Sequence, residues 1–323
     1  MVLVLSDDDI EDVLTLESLA SVVERALVKQ GRGEVERPER PHYPVGIGLD
    51  GPDPLGTGLV MPASVHGDPY FATKLVGVHE DNPERDLPTI HAQVVLADAR
   101  TGRPVSFMNG GTITNARTGC IGGLAARDLA TEPVTLGVLG AGAQARWQTR
   151  AIDALTDLDS VCVYSPSDSR EECAADLRAE GIDATAVDAP AAAVAGASVV
   201  VTATTSAEPV FPAGALSPGA LVIAVGAYDE RSQELEAATF ERAARLFADV
   251  PEEVAETGDV RATDLSAEDF VALSAVLDGE ADRASAEEVL VVESVGTAVL
   301  DAATAAELYE AAESAGVGTE QPL

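Results

Sequence analysis

The sequence predicts an α/β protein: a doubly wound parallel sheet with helices on both faces, joined to a second, α+β domain. Three observations predict it. From residue 134 onward, short apolar runs alternate with alanine-rich helical stretches, as parallel strands covered by helices require. Residues 44–110 carry short β-rich runs separated by Gly, Pro and Asp turns, which reads as an antiparallel segment. A length of 323 residues accommodates two domains, each with its own core. The expected division is 1–130 completed by 296–323 for the α+β domain, and 131–295 for the parallel-sheet domain.

The elements follow in order. Ser6-Asp7-Asp8-Asp9 supplies an N-cap and an acidic first turn, and helix-period apolars continue to residue 30. Strands are expected at 57–62, 70–78, 90–97 and 104–108, then a helix over 113–130 that contains Asn115-Ala116-Arg117-Thr118-Gly119. The alternating part predicts strands at 134–139, 161–165, 184–187, 199–202, 221–225, 246–250 and 289–293. A final helix is expected over 297–315, with no internal repeat and no low-complexity linker.

The formal charge is −35, with acids spread along the chain. Nucleic acids and anionic membranes need a basic footprint, so neither is an expected partner. Such a surface repels itself in dilute buffer. At 1 M salt the screening length falls to about 3 Å and most of the repulsion disappears, so the charge reads as adaptation to a salty cytoplasm. The three cysteines, Cys120, Cys162 and Cys173, are odd in number and form no C-x-x-C, and the four histidines show no metal spacing. Neither a disulfide framework nor a metal site is expected. There is no leader pattern and no apolar run of 18 residues, which predicts a soluble, cytoplasmic protein.

Lys74 stands apart. It is one of two lysines, with Lys29, against 18 arginines, and it lies in the apolar stretch 70–78. Burying an ammonium is costly unless it is paired, and lysine is the cation whose pKa moves readily on burial. A strand-edge lysine reaching water is the structural alternative; acid–base or imine chemistry is the functional one.

The strongest chemical motif is Gly140-Ala141-Gly142-Ala143-Gln144-Ala145, which ends one predicted strand and opens a helix. Gly140 makes the tight turn, Gly142 lets backbone approach a pyrophosphate, and Ala145 allows close helix–strand packing. The helix N-terminus faces the anion. This is the dinucleotide fingerprint of a Rossmann domain. An acid at the end of the second strand would bind the ribose of NAD; Tyr164-Ser165-Pro166-Ser167-Asp168-Ser169-Arg170 stands there instead. Ser165 and Ser167 can donate to a phosphate and Arg170 can pair with one, which tilts the choice between NAD and NADP modestly towards NADP; an exposed charge in the first turn of the next helix is the structural alternative for Arg170.

Several segments line up in order with a known family: Val60-Met61-Pro62, Phe71-Ala72-Thr73-Lys74, Leu87-Pro88-Thr89-Ile90, Thr101-Gly102-Arg103-Pro104, Thr114 to Gly119, the glycine loop, Thr202 to Ser206, Ala224 to Tyr228, Glu234-Leu235 and Ser294 to Ala298. On them the chain resembles the ornithine cyclodeaminase/μ-crystallin family, which includes archaeal alanine dehydrogenases. The resemblance implies a substrate-binding and dimerisation domain, a central domain for the nicotinamide cofactor, and a homodimer. It implies that Lys74 is catalytic and that Arg40, Lys74, Thr89 and Arg117 meet a small amino-acid or 2-oxo-acid substrate. Arginine suits a carboxylate because its fork matches that geometry. Cofactor contacts are implied for Arg117, Gly140, Gly142, Ala143, Gln144, Ala145, Ser165, Arg170, Thr202, Thr204, Val225, Tyr228 and Ser294. Two positions depart from the cyclodeaminase pattern: Tyr228 replaces the aspartate expected to handle the substrate amine, and Ser165 replaces the acid that selects NAD. The expected activity is therefore NAD(P)-dependent interconversion of a 2-oxo acid or ketimine and an amino acid, alanine dehydrogenase being the concrete form. Ornithine cyclodeaminase and a nucleotide-gated binding protein are the alternatives.

Overall fold

The computed structural model describes residues 1–227 and 229–322. These divide into two compact units: residues 1–117 with 298–323, and residues 118–297.

The first unit starts with β1 (Val2–Leu5), an apolar run too short for its sequence to distinguish strand from helix. Residues 6–30 form two helices rather than one: α1 (Asp7–Val13), opened by a Ser6–Asp9 capping box, and α2 (Leu16–Gly31). Leu14 and Thr15 are extended and break the run, with Thr15 taking the N-cap position where a β-branched residue is at home. Then come β2 (Val35–Glu36), β3 (His42–Val45), β4 (Gly56–Val65), β5 (Tyr70–Val78), β6 (Ile90–Asp98) and β7 (Pro104–Asn109), followed by helix α3 (Gly110–Leu129). The boundary between the units falls inside α3.

The second unit continues with β8 (Val134–Leu139), α4 (Ala143–Leu155), β9 (Leu158–Tyr164), α5 (Ser169–Ala179), β10 (Ala184–Ala186), α6 (Pro190–Val194), β11 (Val199–Thr202) and β12 (Leu221–Ala224). It closes with α7 (Ala237–Arg242), β13 (Arg245–Ala248), α8 (Pro251–Val254), α9 (Gly258–Arg261), β14 (Phe270–Ala272), α10 (Leu273–Leu277) and β15 (Leu290–Glu293). The chain returns to the first unit through α11 (Ala298–Ala315) and β16 (Thr319–Gln321).

In the first unit the sheet order is β16-β1-β7-β6-β5-β4-β2, with β3 on β4. The strands β4 to β7 pair antiparallel, as their turn-punctuated sequence predicts. Because strand side chains alternate between faces, the register sorts residues across the sheet. One row reads Leu5, Met108, Val94, Lys74, Met61. Its four apolar members are at most 5% exposed, and Lys74 is 3% exposed among them. The opposite face carries Val4, Phe71, Leu75 and Tyr43, all exposed by more than a third.

In the second unit the order is β10-β9-β8-β11-β12-β15-β13-β14 with every pair parallel. The runs VVVT, LVIA and LVVE are buried throughout, as strands covered on both faces must be. The strand order reverses between β8 and β11, which makes that crevice the topological switch point. Leu139, Thr202, Ala224, Glu293 and Ala248 lie in register along the carboxyl edge of the sheet. The loops beginning at Gly140, Ala203, Val225, Ser294 and Asp249 leave from that edge together. Gly119, Gly122 and Gly123 let the second half of α3 approach α4. A Cβ at Gly119 would fall 2.7 Å from the Trp147 carbonyl oxygen.

Candidate active site

In the first unit, one strand and two helices gather a buried ion triad. Lys74 comes from β5, Arg117 from α3 and Asp301 from the first turn of α11. The Lys74 ammonium lies 2.6 Å from Asp301 Oδ2. Arg117 Nε donates to Asp301 Oδ1 at 3.1 Å. Lys74 Nζ donates to Thr114 Oγ1 at 3.2 Å, and that hydroxyl donates to the Gly110 carbonyl. All three charged groups are at most 5% exposed.

Two buried cations on one buried anion leave a net positive charge, and the pKa values follow. Burial lowers Lys74; Asp301 opposes this, and the charges of Arg117 and Arg40 lower it further, to about 8. Burial alone would raise Asp301, but Lys74 and Arg117 outweigh it and hold the carboxyl below the ordinary range. Lys74 is thus poised to exchange a proton near neutral pH, and Asp301 is ionised at every pH of interest. The contrast with Lys29 is direct. That ammonium is partly exposed, 2.9 Å from Asp68, an ordinary surface pair.

The structure brings together Lys74 and Arg117, both expected at the substrate, with Asp301, which the sequence did not single out. The only signal was an acid inside an alanine-rich helix, and 55 Asp and Glu residues hide it. Arg40 is in electrostatic reach of Lys74. Thr89 is not brought to the triad: it precedes Ile90, which pairs with Val78, four residues along β5 from Lys74, or roughly 13 Å. Its carbonyl accepts from the His79 backbone N–H.

In the second unit, the residues expected at the cofactor lie along the carboxyl edge of the sheet. Gly140 has φ +115°, a region closed to most side chains, and a Cβ there would strike the Ala203 carbonyl oxygen at 2.4 Å. Gly142 is the N-cap of α4 and provides no side-chain cap for the helix N–H groups. A Cβ at Gly142 would meet nothing within 4 Å. Open space over a helix N-terminus is what a pyrophosphate fills. Gly142 and Ala143 are exposed, Gln144 is half-buried and Ala145 is fully buried against the sheet. The structure therefore fits a dinucleotide at this turn.

After β9, three hydroxyls converge: Ser167 and Ser169 are 2.7 Å apart, and Ser169 donates to Ser165 at 3.2 Å. Arg170 Nη1 donates to the carbonyls of Ser165 and Ser167, and Nη2 pairs with the exposed Asp188. Val225 follows β12, and its N–H donates to the Thr202 carbonyl. Of the residues expected at the cofactor, Thr202 and Ser294 are buried, and their hydroxyls donate to Glu234 and Asp249. Arg117 belongs to the triad of the first unit. Tyr228 lies outside the described residues. Its neighbour Asp229 is committed to its own turn, accepting from the Arg231 and Ser232 N–H groups and the Ser232 hydroxyl.

The profile of the ornithine cyclodeaminase/mu-crystallin family matches residues 2–316. A Delta(1)-pyrroline-2-carboxylate reductase of Bacillus cereus is 32% identical over 294 residues, covering 87% of this chain and 89% of the relative. The solved Delta(1)-pyrroline-2-carboxylate reductase of Thermococcus litoralis, in complex with NADH and L-proline, superposes with a TM-score of 0.92. It is 29% identical and covers 99% of this chain and all of its own. An archaeal alanine dehydrogenase dimer with bound NAD gives 0.91 at 28% identity, covering 100% and 99%.

Proposed function

The chain belongs to the ornithine cyclodeaminase/mu-crystallin family, and from that premise we propose an NAD-dependent imine-reducing oxidoreductase whose substrate is a small 2-imino acid. The observation that carries this reading is the Lys74–Asp301–Arg117 triad, a proton carrier fixed beside a guanidinium in a buried positive site. The cyclic imine Δ1-pyrroline-2-carboxylate is the first candidate substrate, from the reductases this chain resembles, and the imine of pyruvate the second.

The bound dinucleotide supplies or accepts the hydride. The residues do the rest. Arg117 and Arg40 hold the substrate carboxylate, for which the guanidinium fork is shaped. Lys74, kept in place by Asp301 and Thr114, gives a proton to the substrate nitrogen during reduction and takes one during oxidation. The cyclodeaminase alternative loses ground because Tyr228 occupies the expected aspartate position and Asp229 is held by its own turn.

The test is a panel of Δ1-pyrroline-2-carboxylate, pyruvate with ammonia or methylamine, and ornithine, in high salt, following nicotinamide absorbance. Imine reduction is expected to consume NADH. Proline formed from ornithine with no net absorbance change would replace this reading with the lyase. The pH profile follows from Lys74. Below about 8 it is an ammonium, so the reductive rate should fall as pH rises through about 8 and the oxidative rate should rise through the same point. Profiles with no break there would remove Lys74 as the proton carrier.

Cofactor choice rests on the edge after β9, where three serines and Arg170 replace an acid. NADPH is expected to bind within about tenfold of NADH, since hydroxyls and Arg170 stand where an acid would repel its phosphate. Ser165→Asp should weaken NADPH by about tenfold or more and spare NADH. Equal loss of both would show that this turn does not read the ribose. The exposed apolar face bearing Val4, Tyr43, Phe71 and Leu75 is the surface a second copy would cover in a homodimer. The charge of −35 supports a salt-adapted cytoplasmic enzyme. Among the described residues no helix is long and apolar enough to cross a membrane.

A further inference from the structure

The carboxyl edge of the second unit hides four acids that no step above uses. Glu293 ends β15, Asp249 follows β13, Glu234 lies between β12 and α7, and Asp259 is in α9. Each is at most 4% exposed. Among the described residues, no group of three or more such side chains is arranged to hold a metal. Asp249 is a brace, accepting from the Ser294 hydroxyl and the Gly296 N–H.

Glu234 is different because it joins two loops. Its Oε2 accepts from the Thr202 hydroxyl and from the Gly226 N–H, both at 2.8 Å, and its Oε1 accepts from the Thr204 N–H at 2.6 Å. Thr202 ends β11, Thr204 lies in the loop that follows it, and Gly226 belongs to the loop after β12. The first of these loops packs directly on the glycine turn, where the Ala203 carbonyl excludes a Cβ from Gly140. The fit on the other side is as tight: a Cβ on Gly226 would fall 2.5 Å from the Glu234 carboxylate. Glu234 is itself fixed from behind, since Asp259 Oδ1 accepts from the backbone N–H groups of Glu234 and Leu235 at 2.7 Å each.

We propose that Glu234 is a positioning residue for the dinucleotide: its ionised carboxylate holds the loops after β11 and β12 in the cofactor-receptive form, and a proton on it releases them. The proposal rests on the dinucleotide reading given above. Three donors converge on the carboxylate, and the ionised group accepts from all three. A proton on Oε1 faces the Thr204 N–H, and a proton on Oε2 weakens that oxygen as acceptor for the Gly226 N–H and forces the Thr202 hydroxyl to turn and accept it.

The proton is within reach near neutrality. Burial, partly offset by hydrogen bonds from Thr204, Thr202 and Gly226, pushes Glu234 up to about 7. Burial likewise pushes Asp259 up to about 6. Burial, with the charges of Asp259, Glu234 and Asp249, raises Glu293 well above the ordinary carboxylate range. Asp259 of α9, Glu293 of β15 and Asp249 at the end of β13 are acids, and Asp259, Asp249 and Glu234 favour the proton on Glu293. The sign is then fixed. Dinucleotide affinity is full above about 7 and falls as pH drops below it. The fold responds in the opposite sense: native Glu234 keeps a proton that the unfolded chain releases at about 4.5, so its contribution to stability falls as pH rises between those values.

The experiment is a titration of the full chain in high salt with NADH, followed by nicotinamide fluorescence, from about pH 8 to about pH 5.5. The wild-type Kd is expected to weaken by about tenfold per unit below about 7, as a single required ionisation dictates. Glu234→Gln puts an amide N–H₂ against a donor, so its Kd should be about tenfold weaker at pH 8 and flat with pH. Glu293→Gln changes an acid that makes none of the three loop hydrogen bonds to Glu234 and should keep the wild-type profile. A flat wild-type profile would overturn the proposal, as would a Glu234→Gln protein with wild-type affinity and pH dependence, or a Glu293→Gln protein that loses the dependence. If Glu234→Gln does not fold, the wild-type and Glu293→Gln profiles decide. Failure of both NADH and NADPH to bind at any pH would remove the dinucleotide reading itself, and this role with it.

Discussion

Lys74→Ala is expected to lower imine reduction by about 10³-fold and to leave the Kd for NADH within about threefold of wild type. The first figure is the middle of the range for losing a positioned proton carrier. The second follows from where the residue sits. Lys74 belongs to β5 of the first unit, whereas the glycine turn and the loops that frame it belong to the second. The fold should survive, because the substitution removes a buried charge and leaves Asp301 paired with Arg117 at 3.1 Å. Single-turnover kinetics with saturating NADH, beside direct fluorescence binding, separate the two effects. A variant that keeps more than about a tenth of wild-type turnover would discard the role. One that loses NADH binding in parallel would show that Lys74 supports the cofactor site instead.

Asp301→Ala should destabilise the first unit by about 3–5 kcal/mol. That is the measured range when one partner of a buried ion pair is deleted and the other is left uncompensated. Here the residue removed is the single anion between two cations, each at most 5% exposed. A shift of roughly 10 °C in the melting midpoint at fixed salt is the expected reading. Asp301→Asn keeps the volume and tests the electrostatics. Asp301 is the group that raises Lys74 against burial, so the break in the reductive pH profile should move below about 8. An unchanged melting midpoint in the first variant, together with an unchanged break in the second, would mean that the triad is not coupled as its distances imply.

Much of the architecture is legible in the chain itself. The alternating runs from residue 134 onward give the parallel sheet, and the turn-punctuated runs between 57 and 108 give the antiparallel one. Both follow from local periodicity, which neighbours within a few residues write directly into the sequence. The failures are also local in origin. The four-residue run Val2–Leu5 carries too little pattern to identify as a strand, and the break at Leu14–Thr15 interrupts a helical period that sequence alone reads as continuous.

What the sequence determined by itself is the fold class, the glycine turn and the oddity of Lys74, because each is set by residue types at short spacing. What only the tertiary structure decided is which acids matter. Asp301 lies 184 residues from Arg117, and Glu234 lies 32 from Thr202. In a chain with 55 acidic residues, almost any of them would serve as a solvated surface charge. The few that do not are selected by packing: a carboxylate carried into the interior must find cations or N–H groups. Lys74 found Asp301, and the loops of the cofactor edge found Glu234.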